Sequence, residues 1–310
     1  MGKRSTNKAI PEESPESTES VFVSILQQNF TELLKWEPVA LAGEDIEGVH
    51  QMRVILRRMR SAVIIFRKAI PRQATDTISD EMRWAASELG PARDLDVFID
   101  EGLKAMAGRM PLAQGETGMR ELAWQHRQTA YQQVRDMIGS DRFRQFKETL
   151  PGWLAERPWR QGVTDEKGTL RLRQNIKIYA TRMLNDRLLQ VLQTGEQLDK
   201  KSAEELHLLR IECKKLRYAT EFFSSFYGRD SMAGFVSALR SLQGTLGVMN
   251  DVAVMPYLLD GLLQGCNDRE LITYAGAIIG WRSRQYEEVR GRLPSQWEQF
   301  AKMALPWSRG

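Results

Sequence analysis

Two stretches of the chain carry the same cationic side chains at the same spacing. "VHQMRVILRRMR" occupies residues 49–60 and "LHLLRIECKKLR" occupies residues 206–217. His50 aligns with His207, Arg53 with Arg210, Arg57 with Lys214, Arg58 with Lys215 and Arg60 with Arg217, each pair 157 residues apart. At about 100° per residue, His50, Arg53, Arg57 and Arg60 share an arc of about 80° on one helix face. Met52, Ile55, Leu56, Met59, Val63 and Phe66 fall on another face, a stripe suited to a core. His207, Arg210, Lys214 and Arg217 repeat the arc, whereas Arg58 and Lys215 lie off it. A guanidinium presents paired N–H donors that match phosphate oxygens, and it stays charged when desolvated; an ammonium is a compact point charge. Like charges one turn apart repel by a few tenths of a kcal/mol. Neither arc interleaves an acid, so the rows predict an anionic ligand, or acids brought in by another helix. A merely solvated charged face is the competing reading.

The histidines admit three roles: contact with an anion, a hydrogen bond in helix packing, or metal ligation. The last lacks partner ligands at suitable spacing. The same 157-residue offset pairs Arg83 with Arg240 and Arg127 with Arg284. These could add donors to the cationic surface, or could be tied up by Asp94, Asp251 or a nearby Glu. Asp94 and its counterpart Asp251 read as helix N-caps or first-turn acids. No positioned nucleophile–base pair, HExxH motif or carboxylate cluster emerges. No catalytic residue, metal or cofactor is therefore expected.

The elements that position these residues read as helices throughout. Helical spacing starts near Glu19, a turn is expected through "EPVALAGED", and the next helix runs to Pro71. A third helix ends with Gly90 as its cap. Further helices follow through residue 156, and "RPWRQGVTDEKGT" reads as a linker. No segment shows sustained strand alternation, so the class is all-α. Beyond the arcs, the offset also pairs Phe66 with Phe223, Leu89-Gly90 with Leu246-Gly247, Trp124 with Trp281 and Phe143 with Phe300. Two halves with a common helical plan should meet by like faces across a pseudo-twofold axis. The expected layout is a disordered tail at 1–17, repeat one at about 18–156, a linker at about 157–168 and repeat two at about 169–305. One unit is favoured over two independent domains, because a shared basic face gains from both halves.

Composition bounds the function classes. The chain has 310 residues, 42% of them hydrophobic, which suits a globular core. No apolar run approaches the ~20 residues that span a bilayer, and the first residues lack the apolar stretch of a signal peptide. A cytoplasmic protein is expected. Two cysteines, Cys213 and Cys266, provide no disulfide framework. Cys213 reads as a small apolar side chain. Net charge is only +4, so local clustering matters more than the total.

The paired motifs "HQMRVILRRMRSAVIIF" and "HLLRIECKKLRYATEFF", followed by "LGPARDLDVF" and "LGVMNDVAVM", resemble the two repeats of a CHAD domain, the conserved histidine α-helical domain. The resemblance covers roughly residues 18–305. It implies two helical bundles around a basic central cavity or groove, and binding of long-chain inorganic polyphosphate, often at polyphosphate granules and alongside granule proteins. The motif positions it carries over are His50, Arg53, Arg57, Arg58, Arg60, His207, Arg210, Lys214, Lys215 and Arg217. Some relatives add a CYTH triphosphatase module with an ExExK motif; "GEDIEG" does not match it, so no triphosphatase activity is expected. Binding to an RNA or single-stranded DNA backbone is the alternative, although no aromatic residues interleave the arcs as stacking platforms.

Overall fold

The computed structural model describes residues 14–308; of the tail expected as disordered at residues 1–17, residues 1–13 lie outside them, but Glu16 and the buried Ser17 are held in place by backbone and capping hydrogen bonds. Among the described residues the chain is helical with no named strand, as the absence of alternating patterns predicts. Helix α1 (Thr18–Ala42) starts at Ser17, whose hydroxyl accepts from the Ser20 amide at 3.1 Å. It runs straight through Pro38 and ends at the left-handed Gly43, so the turn expected at residues 37–45 shrinks to a few residues. Packing offsets the hydrogen bond lost at Pro38. Ala40 is fully buried, and a Cβ on Gly48 would sit 2.4 Å from the Ala40 nitrogen. Only glycine lets α2 approach the α1 backbone so closely.

Helix α2 (Ile46–Ile65) follows, capped by Asp45, and α3 (Arg72–Glu88) begins after Pro71. Helix α4 (Gly90–Val97) passes into a π-helical turn (Phe98–Leu103) and the single turn α5 (Lys104–Met106). The long α6 (Ala113–Gly139) and α7 (Asp141–Glu156) complete the first half. The second half comprises α8 (Glu166–Arg173), α9 (Ile176–Thr194), α10 (Ala203–Tyr227), α11 (Arg229–Leu262), α12 (Arg269–Arg290) and α13 (Leu293–Ala301). Helices α2 and α10 begin 157 residues apart, and so do α3 and α11. Their caps also match: Asp45 accepts from the Glu47 amide, and Ser202 forms a reciprocal capping box with Glu205.

Two expectations fail in the first half. Gly90 is not a left-handed cap; it is the first residue of α4. Asp94 is neither an N-cap nor a first-turn acid, but the fifth residue of that helix. Pro91 supplies the reason for the break at Leu89. It has no N–H to continue the ladder and its ring crowds the preceding turn. Its counterpart, Val248, carries α11 on without interruption.

The halves meet through aromatic rings. Phe66 lies 5.4 Å from Phe22, 5.3 Å from Tyr179 and 5.7 Å from Phe223, its own counterpart. The starts of α1 and α9 are laced together by Thr18 N–H to Gln174 O at 3.0 Å and Ile176 N–H to Glu16 O at 2.8 Å. The segment expected as a linker is also anchored. It contains a 3-10 turn (Pro158–Gly162) whose Trp159 is completely buried. Trp159 Nε1 donates to Glu19 at 2.7 Å, Arg160 donates to both carboxylate oxygens at 2.9 and 2.6 Å, and Arg157 adds a contact at 3.1 Å. Burial pushes the Glu19 carboxyl up, but these donors more than offset it and hold it below the ordinary range.

A group held below its unfolded pKa stabilises the fold above that unfolded value and loses the contribution as pH falls through its folded one. Replacing Glu19 by Ala leaves three buried or half-buried donors without their acceptor. It should lower stability by about 3 kcal/mol at neutral pH, with the deficit shrinking in acid. Urea denaturation at neutral and acidic pH checks this; an equal deficit at both would show that the carboxylate charge is not what matters.

Candidate anion-binding site

The cationic face of α2 looks onto the junction of α3 and α4. Arg53 reaches across it, and its Nη1 donates to the Ala86 carbonyl at 2.7 Å. Gly90 makes room for this: a Cβ there would stand 2.9 Å from Nη1. Arg53, Arg57, Arg60 and Arg83 line a concavity of about 500 Å³ together with Gly90, Pro91 and Asp94. Burial, then the charges of Arg57 and Arg93, draw the Arg53 guanidinium below its ordinary pKa, against the support of Asp94. Arg60 is lowered likewise by burial and by Arg83, with Asp80 opposing. Asp80 itself pairs with Arg83 at 3.0 Å.

The second cationic face adjoins the first. Arg210 is lowered by burial and by Arg57 of the first half, against Asp251. Lys214 is pushed down to about 8, first by burial and then by Arg210, Arg57 and Arg217, with Asp251 alone pulling the other way. Lys214 is thus perturbed by its own counterpart, Arg57. The Nε groups of Arg53, Arg58, Arg60, Arg210 and Arg217 are all buried without a hydrogen-bond partner. Unpaired buried donors on charged groups are costly; four of these five lie on the two faces singled out by the sequence, Arg58 lies beside them, and Arg282 Nε is a further case away from both.

The acids are distributed differently from the expectation of bare arcs. Glu221, on the last turns of α10, receives Arg217 at 2.8 Å, Arg240 at 3.7 Å and Arg58 of the first half at 4.0 Å. The counterpart of Glu221 is Ile64, so no offset comparison reveals this acid. Arg58 also lies over the Phe222 ring at 5.5 Å, and Lys215 pairs with Glu212 at 2.5 Å. Both therefore have protein partners, in keeping with their position off the arcs. Asp94 stays open to solvent on one side; the protein behind it, then the charge of Asp251, push its carboxyl up against the pull of Arg53. The two acids belong to the cationic site and cap nothing.

The histidines separate. His207 Nδ1 lies 2.5 Å from Asn250 Oδ1, a packing hydrogen bond. The counterpart of Asn250 is Arg93, and in the first half it is Arg93 that faces His50. Burial, then Arg93, lowers the His50 pKa and favours a neutral ring. Among the described residues no cluster of three His, Cys, Asp or Glu could hold a metal.

One matched pair does not join the site. Arg127 is buried against Asp96 at 2.7 Å, under a Tyr131 ring 4.0 Å away whose hydroxyl donates to the same carboxylate. Its counterpart Arg284 is exposed and paired with Glu288 at 3.3 Å. Arg127 is a core ion pair and Arg284 a surface one. Cys213, expected to be partly buried, is wholly so, and burial pushes its thiol up to about 12. Arg93 has an uncharged counterpart, Asn250, so the 157-residue comparison gives no sign of it, and Asp94 and Asp251 are not the caps expected.

The protein is an all-helical module whose cationic rows, one from each half, come close where the halves join. The CHAD domain model matches residues 24–260, so the chain belongs to the CHAD domain family. The crystal structure of the CHAD domain from the plant Ricinus communis superposes with a TM-score of 0.80 at 24% identity, covering 96% of each chain. PptA from Streptomyces chartreusis shares the fold with a TM-score of 0.62 at 16% identity, covering 91% of this chain and 99% of its own. Two uncharacterized proteins of Mycobacterium tuberculosis, from strains CDC 1551 / Oshkosh and ATCC 25618 / H37Rv, are each 25% identical over 229 residues. That alignment covers 71% of this chain but only 41% of the length of those relatives.

Lys214 gives a stability test of the crowded cations. Its folded-state pKa lies below its unfolded one, so between the two the unfolded chain binds more protons and stability rises with pH. Lys214→Met should therefore stabilise the fold by about 1 kcal/mol at neutral pH. The gain should fade from about pH 8 to about pH 10.5. Thermal melts across that range check it, and a pH-independent difference would contradict the electrostatic origin.

Proposed function

We propose that the protein binds long-chain inorganic polyphosphate and does not turn it over. The observation that supports this most is the meeting of Arg57 with Arg210 and Lys214, cations from both halves with too few acids to neutralise them. Guanidinium and ammonium donors would engage successive phosphates, and counterion release would supply much of the free energy. If about six cations take part, affinity should fall about 1000-fold between about 50 and 200 mM salt, by analogy with nucleic acids. Asp94 and Asp251 would oppose bound anions locally and so favour a ligand that touches several cations at once. Association with polyphosphate granules and a cytoplasmic location belong to the same proposal.

Nucleic acid is the competing ligand. The rings next to the site, Tyr218 and Phe222, are buried and sit under Arg217 and Arg58, so they offer no stacking platform to bases. Competition between polyphosphate and single-stranded RNA at equal phosphate concentration separates the two, with polyphosphate expected to win. Phosphate release assayed with magnesium or manganese should stay at background; release above it would sink the binding-only reading.

Arg53→Glu combined with Arg210→Glu should weaken retention on immobilised polyphosphate by at least about 100-fold, with helicity unchanged by circular dichroism. A folded double variant that binds normally would refute the site. Glu221→Gln acts in the other direction. It frees Arg217, Arg240 and Arg58 from an internal anion, and should tighten binding about 3- to 10-fold at low salt. A titration against salt checks it, because the gain should shrink as ionic strength rises.

A further inference from the structure

A second group of cations stands where α8, α9 and the end of α2 come together. Lys68 pairs with Asp186 at 2.6 Å in an exposed contact. Arg171 reaches from α8, and its Nη1 lies 3.4 Å from the Lys68 carbonyl. Arg182 and Arg187 lie on α9, one turn before Asp186 and directly after it. Neither has a carboxylate within ion-pairing distance among the described residues. Beneath them the buried Tyr179 hydroxyl donates to the Ile65 carbonyl at 2.8 Å. Burial raises its pKa, while the Lys68 backbone and the fields of Arg187, Arg171 and Arg182 pull it down, so all three guanidinium groups lie within electrostatic reach of this hydroxyl. Asp186 pairs with Lys68 alone, and three further cations stand near by.

This group is not a by-product of the matched motifs. The counterparts of Lys68, Arg171, Arg182 and Arg187 at the 157-residue offset are Ser225, Ser14, Ile25 and Phe30, none of them charged. It nevertheless follows on from the cationic face of α2. Lys68 comes eight residues after Arg60, or about 12 Å along the helix direction. A linear polyanion leaving the cleft past Arg60 would meet it next.

We propose that Lys68, Arg171, Arg182 and Arg187 form a second phosphate-binding subsite, where α8 and α9 meet the end of α2, that takes up a further stretch of a long inorganic polyphosphate. This rests on the polyphosphate reading of the cleft. Two subsites joined by one flexible ligand act through effective concentration, so the second should matter only for chains long enough to span both.

The test compares wild type, Arg182→Glu/Arg187→Glu and Arg53→Glu/Arg210→Glu against polyphosphates of about 10 and about 100 phosphates at low salt. The α9 double variant should lose about 10-fold or more in affinity for the long chain and nothing for the short one. The cleft variant should lose both. No loss with the long chain, or equal loss with both, would overturn the subsite while leaving the cleft intact. A loss confined to single-stranded RNA would assign the patch to nucleic acid and overturn it too. Wild type that retains neither chain would bring down the polyphosphate reading and the subsite with it.

Discussion

Mutual repulsion between Arg57 and Lys214, held close by the packing of the two halves, is the constraint around which the structure is organised. Left to themselves these cations would separate and hydrate. They are kept together because the other faces of α2 and α10 are committed elsewhere. Met52, Leu56, Met59 and Val63 are buried on one side, and Leu209, Cys213 and Leu216 on the other. The rings of Phe66, Phe223 and Tyr179 lock the junction near the ends of those helices. Apolar burial of this size, at about 25 cal/mol per Å², easily outweighs a few unfavourable charge contacts. The crowded cations are therefore a local cost carried by a strong core. The proposed polyphosphate site would draw on this stored repulsion, because a bound anion would relieve it.

What the sequence made legible follows from what a one-dimensional pattern can encode. Helical class, the cationic arcs and the shared register of α2 with α10 and α3 with α11 rest on local periodicity and capping, and all were visible. The losses have specific causes. Gly90 suggested a cap, because glycine after a helix usually marks a left-handed turn; its use here is steric, to admit Arg53. Asp94 and Asp251 suggested caps, because their role depends on side chains more than 30 residues away. Glu221 escaped the comparison of the halves because an isoleucine stands at its matched position, although its place four residues after Arg217 was readable. Trp159 looked like part of a linker, yet it is buried on Glu19. A second Pro-Trp pair, Pro306 with Trp307, buries its ring as well. It lies 148 residues from the first rather than 157, so a single fixed offset passes over it.

The two halves differ in ways that bear directly on their electrostatics. The first half presents arginines at Arg53, Arg57 and Arg60, with Arg93 close behind, and its acid, Asp80, is drawn off toward Arg83. The second half replaces Arg57 by Lys214 and sets Glu221 among Arg217 and Arg240. Planar guanidinium groups give directional, paired hydrogen bonds, whereas a lysine gives a mobile point charge whose pKa moves readily. The first half is thus the more rigid and more permanently charged donor surface. The second is internally buffered by a carboxylate and carries the one cation of the cluster pushed to about 8. Matched sequence positions need not do equal work. Here the matching brings the cations together, and the mismatches at Lys214, Glu221 and Arg93 decide how much of that charge is left over for a ligand.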